Sequence, residues 1–223
     1  GSTGDGFTWA GHLGHTVVAP RPALAPVRLA EPWIQELQGL SLADAAITVW
    51  QNKKIKTLTG DMLFTEHGVT GPLIHNLSRY IGEILSQGPV MLYLDVLPAF
   101  TAEALEQKLQ QELPNNKMIG NYLEALAAQR VIRIVLQLAH ISPKKVCNTI
   151  TKTERRELLR VLKQLPLTVS AVAGSERAMI TAGGISLKEI DGKTMKSKLV
   201  DNLYFAGEVL DLDGPSGGYN LQV

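Results

Sequence analysis

The chain has 223 residues, 45% apolar and 19% charged, with 22 lysines and arginines against 21 aspartates and glutamates. That balance belongs to an ordinary folded protein of one or two domains, excludes a disordered or collagen-like chain, and gives no overall grip on nucleic acid or anionic lipid. The single cysteine, Cys147, excludes an internal disulfide framework and a thiolate zinc cluster, and points to a reducing compartment, most simply the cytoplasm.

In chain order, Phe7 to Leu13 predicts a short helical turn and Thr16 to Ala19 an extended stretch. Pro20, Pro22 and Pro26 then punctuate the chain at a plausible boundary. From Ala46 the apolar period becomes two. Ile47 and Val49 precede the turn-like Gln51-Asn52-Lys53, with Ile55 and Leu58 beyond it, so the segment reads as a hairpin running on into Met62–Thr65. Pro89 to Leu94 is another strand. A helical block follows. Thr101 is a good N-cap for the series Leu105, Leu109, Leu113, and Tyr122 to Leu138 carries one or two helices. The most apolar run there, Val131 to Ile141, is broken by Arg133 and falls well short of the roughly 20 residues of a membrane span. Thr151 and Glu154 have capping-box spacing ahead of a leucine-rich helix that ends at Pro166. Leu167 to Ala173 and Arg177 to Ala182 return to strand. Strands, then helices, then strands predict an α+β unit in which a helical subdomain interrupts a sheet or barrel.

Chemistry concentrates at the two ends. Leu203 to Ala206 reads as a short buried strand followed at once by Gly207-Glu208, then Asp211, Asp213, Gly214 and the Gly217-Gly218 pair. A glycine at a strand end lets the backbone approach a ligand, and an adjacent carboxylate can accept hydrogen bonds from sugar or ribityl hydroxyls. The Gly217-Gly218 turn is placed to open a helix whose N–H groups face an anion. A plain turn is the alternative that composition alone favours. Because both ends lie in glycine-rich loops and no initiator methionine is present, the chain reads as an excerpt of a longer protein.

The string Leu203-Tyr204-Phe205-Ala206-Gly207-Glu208-Val209-Leu210-Asp211, with Gly217-Gly218-Tyr219-Asn220-Leu221-Gln222, resembles the C-terminal signature of a family of bacterial FAD-dependent oxidoreductases, the aminoacetone-oxidase-like and bile-acid-reductase-like flavoproteins. Gly1 to Gly6, Gly60 to Thr65 with Gly68 to Pro72, and Thr181 to Ile185 match the same family in its order. The resemblance implies a small β-barrel insert with an attached helical subdomain, flanked by two partial segments of a glutathione-reductase-type α/β FAD domain. The segments would be residues 1–25 and 181–223, and the insert residues 26–180, with its helices at about 101–165. It further implies that Thr3 and Gly4 belong to the FAD site and that Thr181, Gly183 and Gly184 cross back close to the flavin. Gly207 and Glu208 would lie near the ribityl chain. Gly217, Gly218, Tyr219, Asn220 and Leu221 would lie near the isoalloxazine ring and pyrophosphate. The activity implied is hydride transfer through FAD to or from a small or unsaturated substrate, with NAD(P)H as a possible electron donor.

The chain departs from that family in one respect. No G-x-G-x-x-G occurs: Gly4-Asp5-Gly6 opens the pattern, but Trp9 occupies its last glycine position. The expectation is therefore that this chain alone holds FAD poorly and is inactive, and no catalytic acid or base can be named. Two other functions remain open. One is flavin-dependent reduction of a pyrimidine in ribosomal RNA, for which the basic helix face Lys152, Arg155, Arg156, Arg160 and Lys163 offers phosphate contacts. The other is a non-catalytic interaction module.

The remaining signals are weak. Gly192-Lys193-Thr194 lacks the upstream glycine of a phosphate loop, because Leu187 occupies it. His12 and His15 could share a helix face, yet have no third ligand nearby, so no metal site is predicted. Lys144 and Lys145 beside Cys147 could lower the thiol pKa.

Overall fold

The computed structural model describes residues 3–174 and 176–221. Gly1, Ser2, Gln222 and Val223, parts of the signature segments, lie outside the described residues.

A short helix, α1 (Asp5–His12), opens the chain and leads into strand β1 (Val17–Ala23). Pro20 and Pro22, expected to mark a boundary, lie inside this strand, whose register slips between Val18 and Arg21. A two-stranded edge tolerates proline because one side of each strand makes no ladder bond.

The next strands build a closed barrel. β2 (Val27–Leu29), β3 (Ser41–Gln51), β4 (Lys53–Thr65) and β5 (Gly68–Thr70) are joined through β6 (Met91–Asp95) and β7 (Leu165–Val172) in the order β2-β5-β4-β3-β6-β7. Every pairing is antiparallel. The expected hairpin is present, with Gln51 opposite Lys53 and Asn52 taking the left-handed conformation at φ 56°. Period-two alternation sends Ile47, Val49, Met62, Phe64, Leu92 and Leu94 inward, all buried. Helix α2 (Pro72–Ile84) packs its buried face, Leu73, Ile74, Leu77 and Ile81, against this barrel core.

Between β6 and β7 the chain makes the helical excursion: α3 (Ala102–Glu112), α4 (Ile119–Glu124), α5 (Gln129–Leu138) and α6 (Lys152–Lys163). Thr101 Oγ1 accepts the Ala104 N–H, as its N-cap role predicts. The Thr151–Glu154 capping box is complete in both directions. The apolar sides of these helices are continuous with the barrel core. The strand after α6 begins earlier than expected. Leu165 is buried and Pro166 pairs with Tyr93, so Pro166 lies within β7 rather than only stopping the helix.

Two strand expectations need correction. Arg177 and Ala178 donate to the Gly174 carbonyl in a turn, so the final strand β8 is Ile180–Ile185, pairing with β1. Leu203 to Ala206 is not a buried strand. It forms a single bridge between Lys196 and Tyr204; Leu203 and Phe205 are half-buried, while Tyr204 is 60% exposed.

His75, in α2, bonds Thr70 Oγ1 through Nε2 at 3.0 Å. Burial pushes its imidazole below the usual 6.5. The unfolded chain takes up this proton near 6.5, whereas the folded chain resists it. Stability is therefore fully present above about 6.5 and is lost as pH falls towards the lowered folded value. Chemical denaturation of His75→Gln across this window should show a shallower loss than wild type.

Candidate functional site

A cavity of about 690 Å³ lies where α1, β1, β8 and the 207–209 turn meet. Four stretches far apart in sequence line it: Thr3 to Phe7, Pro20 to Pro22, Thr181, and Glu208 with Val209. The volume is in the range of small-molecule and cofactor pockets. Gly4 caps α1 at φ 82°, a conformation that an L side chain adopts only at a cost. The first turn of α1 lines the cavity, and a helix N-terminus carries orphan N–H groups suited to anionic oxygens. On the other wall, the Thr181 N–H donates to Glu208 Oε1 at 2.7 Å, which positions an exposed carboxylate at the rim. Arg21 adds a cation there, held by an ion pair at 2.8 Å to Glu83 of α2.

The expected site residues separate into three groups. Thr3, Gly4, Thr181 and Glu208 meet at the cavity, with Gly207 supplying the left-handed turn (φ 81°) that aims Glu208. Gly183 and Gly184 serve packing. A Cβ on Gly183 would stand 2.6 Å from the Ala19 carbonyl oxygen, and one on Gly184 2.5 Å from that of Val209. The third group belongs to a loop laid across α2. Ser216 N–H donates to Asn76 Oδ1 at 2.8 Å, and Arg79 pairs with Asp213 at 3.1 Å. Asn220 closes that loop on itself through paired bonds with Gly214. Tyr219 is exposed, and Gly217 and Gly218 both have positive φ. Among the described residues, this turn leads into the 3-10 stretch Tyr219–Leu221.

Sequence reading missed Arg21, Phe7 and Val209 as cavity residues. It also missed a buried network in which His15 reaches Glu189 Oε2 at 3.1 Å and Ser197 Oγ at 2.9 Å. His15 lies beyond α1, so it shares no helix face with His12. No group of three or more His, Cys, Asp or Glu able to hold a metal occurs among the described residues. Cys147 is buried, and burial pushes its thiol pKa up, against the direction in which Lys144 and Lys145 could have moved it. Lys193 sits in a turn whose N–H groups cap Asp191.

The basic face of α6 is largely neutralised from within. Arg160 forks onto Glu157 at 2.9 and 2.6 Å, Lys163 meets Asp95 at 2.5 Å, and Arg155 lies 3.8 Å from Glu106. The phosphate contacts expected of this face would have to compete with those carboxylates.

A family model described as the HI0933-like protein barrel and H2TH domain matches residues 21–180, the span from β1 to the start of β8. The chain belongs to that family. Among curated HI0933-like relatives, it is 29% identical to the 3-dehydro-bile acid delta(4,6)-reductase of Clostridium scindens. It is 30% identical to the ribosomal RNA dihydrouridine synthase of Haemophilus influenzae and 28% to that of Escherichia coli. Each match covers the whole of this chain but 55%, 53% and 54% of the respective relative. The chain thus spans about half the length of the curated relatives it matches. Among the described residues, no helix is long and apolar enough to cross a membrane.

Proposed function

We propose that this chain is the insert and the returning flavin-site segments of an FAD-dependent reductase that delivers hydride to a conjugated carbon–carbon double bond. The observation that carries this reading is the cavity in which Thr3, Gly4, Thr181 and Glu208 converge from opposite ends of the chain. Residues 1–25 and 181–223 then belong to one flavin-binding unit, and residues 26–180 are an excursion from it. Pairing of β1 with β8 supports that division.

The residues present fit part of a dinucleotide. The α1 N-terminus and Arg21 offer donors to phosphate oxygens in competition with Asp5 and Glu83, Glu208 suits hydroxyl groups, and Gly4 leaves the approach clear of a side chain. Bound there, FAD would supply the two-electron hydride chemistry. The chain's own residues bind and orient. Glu208, held by the Thr181 N–H, fixes hydroxyls through hydrogen bonds. Arg21, held by Glu83, balances negative charge. The names of the relatives, a reductase and a dihydrouridine synthase, support reduction as the reaction class. A second reading, reduction of a pyrimidine in ribosomal RNA, is supported by the two relatives with that name.

The test uses the whole protein of which this chain is part. Apo-protein titrated with FAD, followed by flavin fluorescence, should bind the Glu208→Ala variant roughly tenfold more weakly, the loss of about one charge-assisted hydrogen bond. Unchanged affinity in both Glu208→Ala and Gly4→Val would remove this cavity from the flavin site.

A further inference from the structure

The outward face of the barrel carries a second concavity, unrelated to the cavity at α1. Strands β4, β3 and β6 lie side by side, and their outward residues form rows across the sheet. Thr57, Thr48 and Tyr93 make one row, and Lys54, Trp50 and Met91 the next. The groove holds about 430 Å³ and is closed on one side by Lys163 and Gln164 at the end of α6. Trp50 is 41% exposed, and its ring meets that of Tyr93 edge-on at 6.4 Å. Thr48 and Thr57 hydroxyls bond each other at 2.8 Å and face outward.

The one carboxylate lining the groove, Asp95, is matched by Lys163. Lys53 and Lys54, at the tip of the β3–β4 hairpin, are exposed. Among the described residues, neither takes part in an ion pair. Two aromatic rings on a sheet, hydroxyl and amide groups beside them, and the uncompensated Lys54 at the rim form a surface for unpaired bases and their phosphates. Stacking needs bases splayed out of a duplex, so such a surface selects single strands.

We propose that this face of β3, β4 and β6 binds a single-stranded RNA segment, with bases against Trp50 and Tyr93 and a phosphate on Lys54. The proposal rests on the ribosomal RNA reading above and places the RNA contact on the barrel instead of on α6.

The experiment titrates a fluorescein-labelled single-stranded oligouridylate with the whole FAD-loaded protein, read by anisotropy at two salt concentrations. Dihydrouridine formation in ribosomal RNA is measured in parallel. Trp50→Ala and Tyr93→Ala should each weaken binding roughly tenfold, and Trp50→Phe should restore most of it. Lys54→Glu should weaken binding and flatten its salt dependence. Arg156→Glu on α6 should leave binding unchanged. Retained flavin absorbance and an unshifted thermal melt establish that the variants are folded. Wild-type binding that survives all the barrel substitutions overturns this surface while leaving the RNA reading intact. Self-association of the wild type that Trp50→Ala abolishes also overturns it, by seating a second copy on the groove. Absence of both RNA binding and dihydrouridine formation by the wild type overturns the RNA reading and this surface with it.

Discussion

Gly68→Ala should destabilise the protein by about 3 kcal/mol or more, the upper end of the cost of forcing extra atoms into a packed site. Gly68 begins β5, the short strand that closes the barrel by pairing with β2 on one side and β4 on the other. A Cβ there would stand 2.0 Å from the Val27 carbonyl oxygen and 2.8 Å from the Arg28 Cα. Both are backbone atoms of β2, so no rotamer change relieves the clash. The strands must separate, and Val27 and Val69, both buried, would lose their packing. Gly82 supplies the control. It is an exposed residue in the body of α2, and a Cβ there meets nothing within 4 Å. Gly82→Ala should therefore stabilise by about 0.5–1 kcal/mol, the helix-propensity difference. Urea denaturation of the two variants checks the pair. Equal small effects would mean that β5 can move off β2 without cost.

The contrast between these glycines also marks what could be read from sequence. Short-range signals were legible. The alternation around Ile47 and Val49, the turn at Asn52, the cap at Thr101 and the Thr151–Glu154 box each lie within one element, and each formed as expected. Closure of the barrel was not legible, because the demand on Gly68 comes from Val27 across another strand. Gly183 and Gly184 illustrate the same limit. Their Cβ positions are filled by the backbone of β1 and of Val209–Leu210, which lie far from them in sequence. Basic residues of α6 were visible as a stripe, but their carboxylate partners Asp95 and Glu106 lie on β6 and α3, and only the tertiary fold brings them together. At the candidate site, Thr3, Gly4, Thr181 and Glu208 were named through resemblance. Arg21, between two prolines, carried no local signal of its place in the cavity.

His15→Ala should destabilise the protein by about 3 kcal/mol, through loss of a buried side chain and of the partners it satisfies. The hydrogen bonds assign its protons. Ser197 Oγ already accepts the N–H groups of Leu199 and Val200 at 3.0 and 2.9 Å, so its own hydroxyl is the donor to His15 Nε2. Nδ1 then carries the ring proton and donates to Glu189 Oε2, which also accepts the Thr16 N–H at 2.9 Å. Hydrogen bonds from Thr16, with a contribution from His15, hold the Glu189 carboxyl below its usual pKa. The ring also stands edge-on to Phe205, with centroids 4.9 Å apart. One imidazole thereby joins the chain after α1 to the segment 186–205. The order serine, histidine, carboxylate is that of a nucleophilic triad, but the setting argues against catalysis. Ser197 is 5% exposed, and its oxygen accepts two backbone N–H groups that would have to be released before it could attack. The role is structural: it ties residues 15–16 to Glu189, Ser197 and Phe205. Hydrogen exchange should accordingly show protection lost at Leu199 and Val200 in both His15→Ala and Ser197→Ala. Esterase activity towards an activated acyl ester should be at background in the wild type. Activity abolished by Ser197→Ala, with exchange at Leu199 and Val200 unchanged, would instead make the network a catalytic one.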